Sequence, residues 1–159
     1  MNSGVKNKSA YTLIEVLVAT TISVIVFGVG FAGYREFSRR QELSGVKNSL
    51  ISDLRLIQQL SLTGQKPSGS ICAKLNGHTF SITGGSSYEL IANCTDGNVI
   101  IKDVDFSSYG VTVSASASNT QFKSLGHGTD LVANNTITLT NSISGSTAQI
   151  TVGIGGDIK

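Results

Sequence analysis

Apolar and polar positions divide the chain into three stretches. Val16–Tyr34 holds no charged residue and is dominated by Val, Ile, Leu, Phe, Ala and Gly. At 1.5 Å rise per residue, about 20 helical residues cross the hydrocarbon core of a bilayer, so this stretch predicts one transmembrane helix. Beyond Tyr34 the segment Arg35–Glu42 is polar, yet an apolar stripe continues. Leu43, Val46, Leu50, Leu54, Ile57 and Leu60 recur at intervals of three or four, the mark of one helical face, and Ile51 and Leu56 widen it. The stripe stops near Thr63-Gly64, with Pro67 shortly after, a helix-end signal. The halves join into one helix of about 50 residues, about 75 Å long, whose outer half must cover something apolar.

From residue 64 onward the period changes to two. Charge is sparse, and Gly, Ser, Thr and Asn are abundant. Alternating runs predict strands at Ser70–Leu75, Thr79–Thr83, Tyr88–Asn93, Val99–Lys102, Gly110–Ala115, Thr136–Asn141 and Ala148–Ile154. Asn76-Gly77 predicts a hairpin between the first two strands, and Asp96-Gly97 a second hairpin between Cys94 and Val99. Ser142–Ser146 predicts a longer hairpin joining the last two strands. Asn134-Asn135 and Ser114–Thr120 read as surface loop. The core of such a region is modest in size, and the amphipathic helix laid on the sheet completes it. The expected fold class is α+β, a long N-terminal helix packed on an antiparallel β-sheet domain, with no internal repeat.

One acid interrupts the approach to the apolar run. Glu15 stands five residues after Ala10, in Lys8-Ser9-Ala10-Tyr11-Thr12-Leu13-Ile14-Glu15. A carboxylate within a bilayer costs about 2.5–3.5 kcal/mol on insertion scales, so a simple anchor has no reason to carry one. Either a partner neutralises Glu15, or it reaches the headgroups from the membrane edge. A secretory signal peptide competes, with Lys6 and Lys8 as its basic region and Gly30-Phe31-Ala32 as a weak cleavage site, but its apolar region is shorter and lacks an early acid. Basic residues on both sides of the run, Lys6 and Lys8 before it and Arg35, Arg39 and Arg40 after it, leave orientation open. Gly28-xxx-Ala32 has the spacing at which helices approach closely in lipid. Gly28, Gly30 and Gly33 also fit either a helix that unwinds locally or ordinary transmembrane glycine usage.

The Ser-Ala-Tyr-Thr-Leu-Ile-Glu stretch resembles the processing site of type IV pilins and of type II secretion pseudopilins. The resemblance implies that prepilin peptidase removes residues 1–10 by cutting between Ala10 and Tyr11, and that Tyr11 becomes an N-methylated terminus. The family has Gly before the cut where this chain has Ala10, also a small residue. Glu15 becomes the fifth mature residue, and the resemblance pairs it with the terminal amine of Tyr11 on a neighbouring subunit. Such a pair sets axial register more than stability. The expected organisation is a leader over 1–10, a transmembrane and assembly half-helix over 11–34, an amphipathic half over 35–63, and an extracytoplasmic β-domain over 64–159.

Candidate chemistry elsewhere is sparse. Cys72 and Cys94 are placed to form one disulfide of about 3 kcal/mol outside the cytoplasm, the alternative being two buried thiols. Neither His78 nor His127 has a zinc spacing, so no metal is expected. His127, between Gly126 and Gly128, reads as a loop residue without a catalytic partner. Asp103-Val104-Asp105 is a weak Ca²⁺ candidate and reads more simply as a turn or solvated edge. No phosphate-binding loop is present, and neither an enzyme activity nor a cofactor is expected.

At the C-terminus, Phe122-Lys123-Ser124-Leu125-Gly126, the run Ile137–Thr140 and the closing Ile150–Ile158 resemble the FimT/GspH-like group of minor pilins and pseudopilins. Some members of that group bind DNA through basic residues after the final Gly. Here Asp157 follows Gly156, and Lys159 is the only basic residue beyond it. The chain has net charge +2, which falls to zero once Lys6 and Lys8 leave with the leader, so DNA is a disfavoured partner. The expected function is a structural, minor subunit of a type IV pilus-like filament. It starts as a single-pass cytoplasmic-membrane protein and later lies in a surface filament with other pilins. The alternatives are a type II secretion pseudopilin and a DNA- or ligand-binding minor pilin.

Overall fold

The computed structural model describes residues 11–69 and 72–159. It contains one α-helix, α1 (Leu13–Thr63), and seven strands. The strands are β1 (Leu75–Gly84), β2 (Ser87–Cys94), β3 (Gly97–Asp105), β4 (Val111–Ala115), β5 (Asn119–Lys123), β6 (Asn135–Asn141) and β7 (Thr147–Val152). Contacts divide the chain into two units, Met1–Ser38 and Arg39–Lys159, and α1 runs through both. The fold is α+β, with a long N-terminal helix packed on antiparallel sheets.

In the first unit α1 continues unbroken through Gly28, Gly30 and Gly33, with no local unwinding. Over an 18-residue window the helix is long and apolar enough to cross a membrane. Its hydroxyl groups are satisfied within the helix. Thr20 Oγ1 donates to the Leu17 carbonyl at 2.9 Å, Thr21 Oγ1 to that of Val18 at 2.9 Å, and Ser23 Oγ to that of Ala19 at 2.8 Å. These back-bonds let three polar side chains sit in an apolar run without an unmet donor.

The second unit is built on two antiparallel sheets. The first has strand order β3-β2-β1-β5 and the second β4-β6-β7. The chain leaves the first sheet after β3, enters the second with β4, and returns with β5, which pairs with β1. Asn135 holds this crossing. Its Nδ2 donates to the Ala117 carbonyl at 2.8 Å and to Thr120 Oγ1 at 2.9 Å, and its Oδ1 accepts from Ala117 N at 2.9 Å.

The amphipathic half of α1 buries Leu43, Val46, Leu50, Leu54 and Ile57 against Phe80, Tyr88, Leu90, Phe122 and residues of the second sheet. The expected stripe is corrected at its far end. Leu56 is 41% exposed, whereas Asp53 and Ser61 take buried places on the packed face.

Three strand-level expectations are also corrected. Ser70 and Ile71 lie outside the described residues, and of the remaining Cys72–Leu75 only Leu75 is in a strand. Asn76-Gly77 is no hairpin but an irregularity within β1, where the register shifts between Leu75 and Gly77. Gly77, at φ 148°, passes so close to the Phe122 carbonyl of β5 that a side chain would collide with it. Its glycine serves a backbone approach, not a turn. The first hairpin is instead closed by Gly85-Ser86, between the paired Gly84 and Ser87. The expected loops are in part strand: Ser114-Ala115 ends β4, Asn119-Thr120 begins β5, and Asn135 begins β6, with Thr120 and Asn135 fully buried. The hairpins at Asp96-Gly97 and Ser142–Ser146 form as expected.

Candidate assembly segment and the anchored β-domain

The first turn of α1 is specified by a short polar pattern. Thr12 precedes the first helical residue, and its Oγ1 accepts a hydrogen bond from Glu15 N at 3.3 Å. Thr12-x-x-Glu15 is the capping-box pattern, and an acid in the first turn also complements the positive end of the helix dipole. Glu15 therefore stands at a defined place, on the exposed surface, at the start of the apolar run. Tyr11, 78% exposed, lies just outside the helix. Ala10, the residue before the expected cut, lies outside the described residues. Val16 to Phe31 offer an apolar surface that is exposed among the described residues, Phe27 at 77% and Val29 at 73% exposure. Arg35 lies over the Phe31 ring, 5.9 Å from its centroid, at the polar end of this run.

In the second unit the helix is fixed to the first sheet by polar contacts absent from the sequence-based picture. Asp53 accepts from the Tyr88 hydroxyl of β2 at 2.8 Å, and Lys102 Nζ of β3 lies 2.8 Å from each of its oxygens. Asp53 is buried and Lys102 is 44% exposed, so the ammonium keeps part of its hydration while neutralising the acid. Burial and the Asp53 carboxylate both push the Tyr88 hydroxyl pKa upward. In the last turn of the helix, Ser61 Oγ meets His78 Nδ1 of β1 at 2.9 Å. His78 is fully buried, its Nε2 has no partner, and burial lowers its pKa. The available signal was an acid and a serine on an otherwise apolar face, each three or four residues from a core leucine or isoleucine.

Cys72 and Cys94 are joined in a disulfide, with Cα atoms 5.4 Å apart. The bond ties the segment before β1 to the end of β2, within a small cluster with Leu75 and Ala92. Asp96 reinforces it by accepting from Ala73 N at 2.6 Å. Asp105, the second acid of the weak Ca²⁺ candidate, accepts from Ser107 N at 2.8 Å and forms a turn, and this bond lowers its pKa. Among the described residues no group of three or more His, Cys, Asp or Glu side chains is placed to hold a metal. His127 is exposed in the loop after β5.

The two C-terminal sequence patterns meet in space. The turn after β7 places Gly156 against the Phe122 ring, where an added side chain carbon would be 3.6 Å away. Gln58 Nε2 of α1 donates to the Gly156 carbonyl at 3.0 Å, and Thr129 donates to the Ile154 carbonyl through N and Oγ1, at 3.0 and 2.8 Å. Beyond the turn, Lys159 Nζ pairs with Asp157 at 3.1 Å.

Comparison with known proteins bears on the N-terminal segment. No curated protein and no solved structure matches the chain. Residues 5–31 match the family model of the prokaryotic N-terminal methylation motif, which spans the expected cleavage site, Glu15 and most of the apolar run. In that segment, a capped apolar helix with an acid in its first turn, the chain carries the methylation motif of type IV pilin-like, prepilin-peptidase-processed proteins.

Proposed function

We propose that the protein is a structural subunit of a type IV pilus-like filament. Prepilin peptidase cuts between Ala10 and Tyr11, Tyr11 is N-methylated, and the chain waits as a single-pass cytoplasmic-membrane protein until it is drawn into a bundle of like helices. The observation that carries this reading is the uncovered apolar surface of α1 with Glu15 at its start, inside the matched motif. Burial of that surface among neighbouring subunits supplies adhesion. Glu15 supplies register, because a carboxylate moved out of water needs a cationic partner such as the Tyr11 amine of the next subunit. The reading assigns the chain no catalytic role and no cofactor. A minor place in the filament rests on the C-terminal resemblance, in which the Phe122 element and the Gly156 turn pack together. DNA is a poor partner for the segment after Gly156, since its one cation, Lys159, is paired with Asp157.

Mass spectrometry of filaments sheared from producing cells tests the proposal. The expected result is a peptide that begins at N-methylated Tyr11, at low abundance beside a major subunit. A processed chain confined to the membrane favours the pseudopilin alternative, and an intact Met1 terminus everywhere overturns the reading.

A further inference from the structure

The face of the first sheet turned away from α1 carries a concavity of about 400 Å³. Its walls are side chains that alternate with the buried His78, Phe80, Leu90 and Phe122 of the same strands. Across the strands Gln121 lies opposite Thr79 and Thr79 opposite Ile91, Asn119 lies opposite Ser81, and Asn93 opposite Asn98. Several groups are held from behind. Asn93 Nδ2 donates to Thr79 Oγ1 at 2.7 Å, Ser81 Oγ donates to Asn119 Oδ1 at 2.7 Å, and Asp130 Oδ1 accepts from Gln121 N at 2.8 Å. These bonds use one polar atom each of Asn93, Asn119 and Asp130, all of which line the concavity. The side chains of Asn98 and Gln121 make no hydrogen bond among the described residues.

We propose that this concavity binds a neutral saccharide. Carboxamides place a donor and an acceptor side by side, and vicinal sugar hydroxyls need both at once. Neither Lys nor Arg lines the concavity, so it does not match phosphate or nucleic acid. Ile91 is the one aliphatic side chain in its lining, a small apolar contact for the C–H face of a sugar ring. The volume falls in the range of small-molecule sites. The groups span four strands, about 14 Å at the usual strand spacing, the reach of a short oligosaccharide. The ladder fixes the backbone positions and the internal bonds hold Thr79, Ser81, Asn93 and Asn119 before a ligand arrives, so the ordering cost of binding falls mainly on Asn98 and Gln121. The site is independent of the filament reading, since none of its residues lies on α1.

Isothermal titration of the full chain in detergent micelles, with maltotriose, chitotriose and mannotriose as probes, tests the site. Saturable binding of at least one probe is expected. Asn98→Ala and Gln121→Ala remove groups without internal bonds, so each should weaken that binding by up to about tenfold, the worth of a lost hydrogen bond. Thermal unfolding of both variants should match the parent. Failure of all three probes to saturate overturns the proposal, as does unchanged affinity in both variants.

Discussion

Tyr88 and Asp53 face each other across the helix–sheet interface, and the phenol donates to the carboxylate at 2.8 Å with both residues buried. The Tyr88 ring also makes tilted contacts with Phe80, at 5.2 Å, and with Phe106, at 6.0 Å between centroids. The apolar part of its environment survives in Tyr88→Phe, and only the hydroxyl is lost. A hydrogen bond to a charged group is worth about 1.5–3 kcal/mol, so the variant should lose stability of that order. Chemical denaturation of parent and variant, followed by near-ultraviolet circular dichroism, reads the difference. A change under a few tenths of a kcal/mol would show that Lys102 alone satisfies Asp53.

Stability should have an upper and a lower pH limit with different owners. His78 has a lowered pKa when folded, so the unfolded chain binds the proton more readily. Its contribution is present above the ordinary histidine value, about 6.5, and is lost as pH falls below it, at up to about 1.4 kcal/mol per pH unit. Tyr88 has a raised pKa, so its contribution is present below about 10 and is lost as pH rises beyond that value. A plateau between these limits is expected from unfolding midpoints measured across pH. His78→Gln should flatten the acid limb, and an unchanged limb would place the titrating group elsewhere.

Reduction of the Cys72–Cys94 bond should loosen the segment before β1. A loop of about 20 residues gives about 3 kcal/mol in the chain-entropy model. Asp96 and Lys66 still hold that segment through Ala73, with bonds of 2.6 and 2.7 Å, so the loss should be local at first. Limited trypsin proteolysis with and without dithiothreitol should show new cleavage at Lys74 before the sheets are cut. Simultaneous cutting throughout the second unit would mean that the bond supports the whole fold.

Two roles are stacked on Glu15, and two substitutions separate them. Glu15→Gln keeps a side chain that serves a capping box and removes the charge. Thr12→Ala removes the cap and keeps the charge, at about 1 kcal/mol of helix stability. On the register reading, Glu15→Gln should insert in the membrane normally yet be depleted from filaments, and Thr12→Ala should assemble nearly as the parent does. Immunoblots of sheared filaments against membrane fractions decide. The reverse order would make the local cap the important feature.

Much of this was legible in residue pattern. The three-four spacing of Leu43, Val46, Leu50, Leu54 and Ile57 gave the packed face of α1, because those positions face one apolar surface. Alternation in Tyr88–Asn93 and Thr136–Asn141 located two strands for the same reason. Glycine was harder. Asn76-Gly77 has the composition of a hairpin, yet its glycine is required by a backbone 45 residues away, in Phe122. No local pattern carries that information. β5 was hidden because Asn119 and Gln121 face solvent and Thr120 is buried through a hydroxyl bonded to Asn135. Asp53 and Ser61 were hidden because their partners, Tyr88 and His78, lie on other strands. At the amide-lined concavity the residue types were visible, but only the cross-strand register brings them together.

The place of β5 beside β1 also sets an order of events. β1, β2 and β3 follow one another and are joined by two-residue turns, so their ladders close over short stretches of chain. β5 reaches β1 only after the chain has travelled through the second sheet, and long-range pairings of this kind are the slow ones. Until it docks, β1 presents a bare edge bearing Thr79 and Phe80, able to recruit a strand from any neighbouring copy. A crowded membrane that holds many such chains would select for rapid docking of β5. In the finished fold Asn135 ties the returning strand to the second sheet through Ala117 and Thr120, which keeps that edge covered.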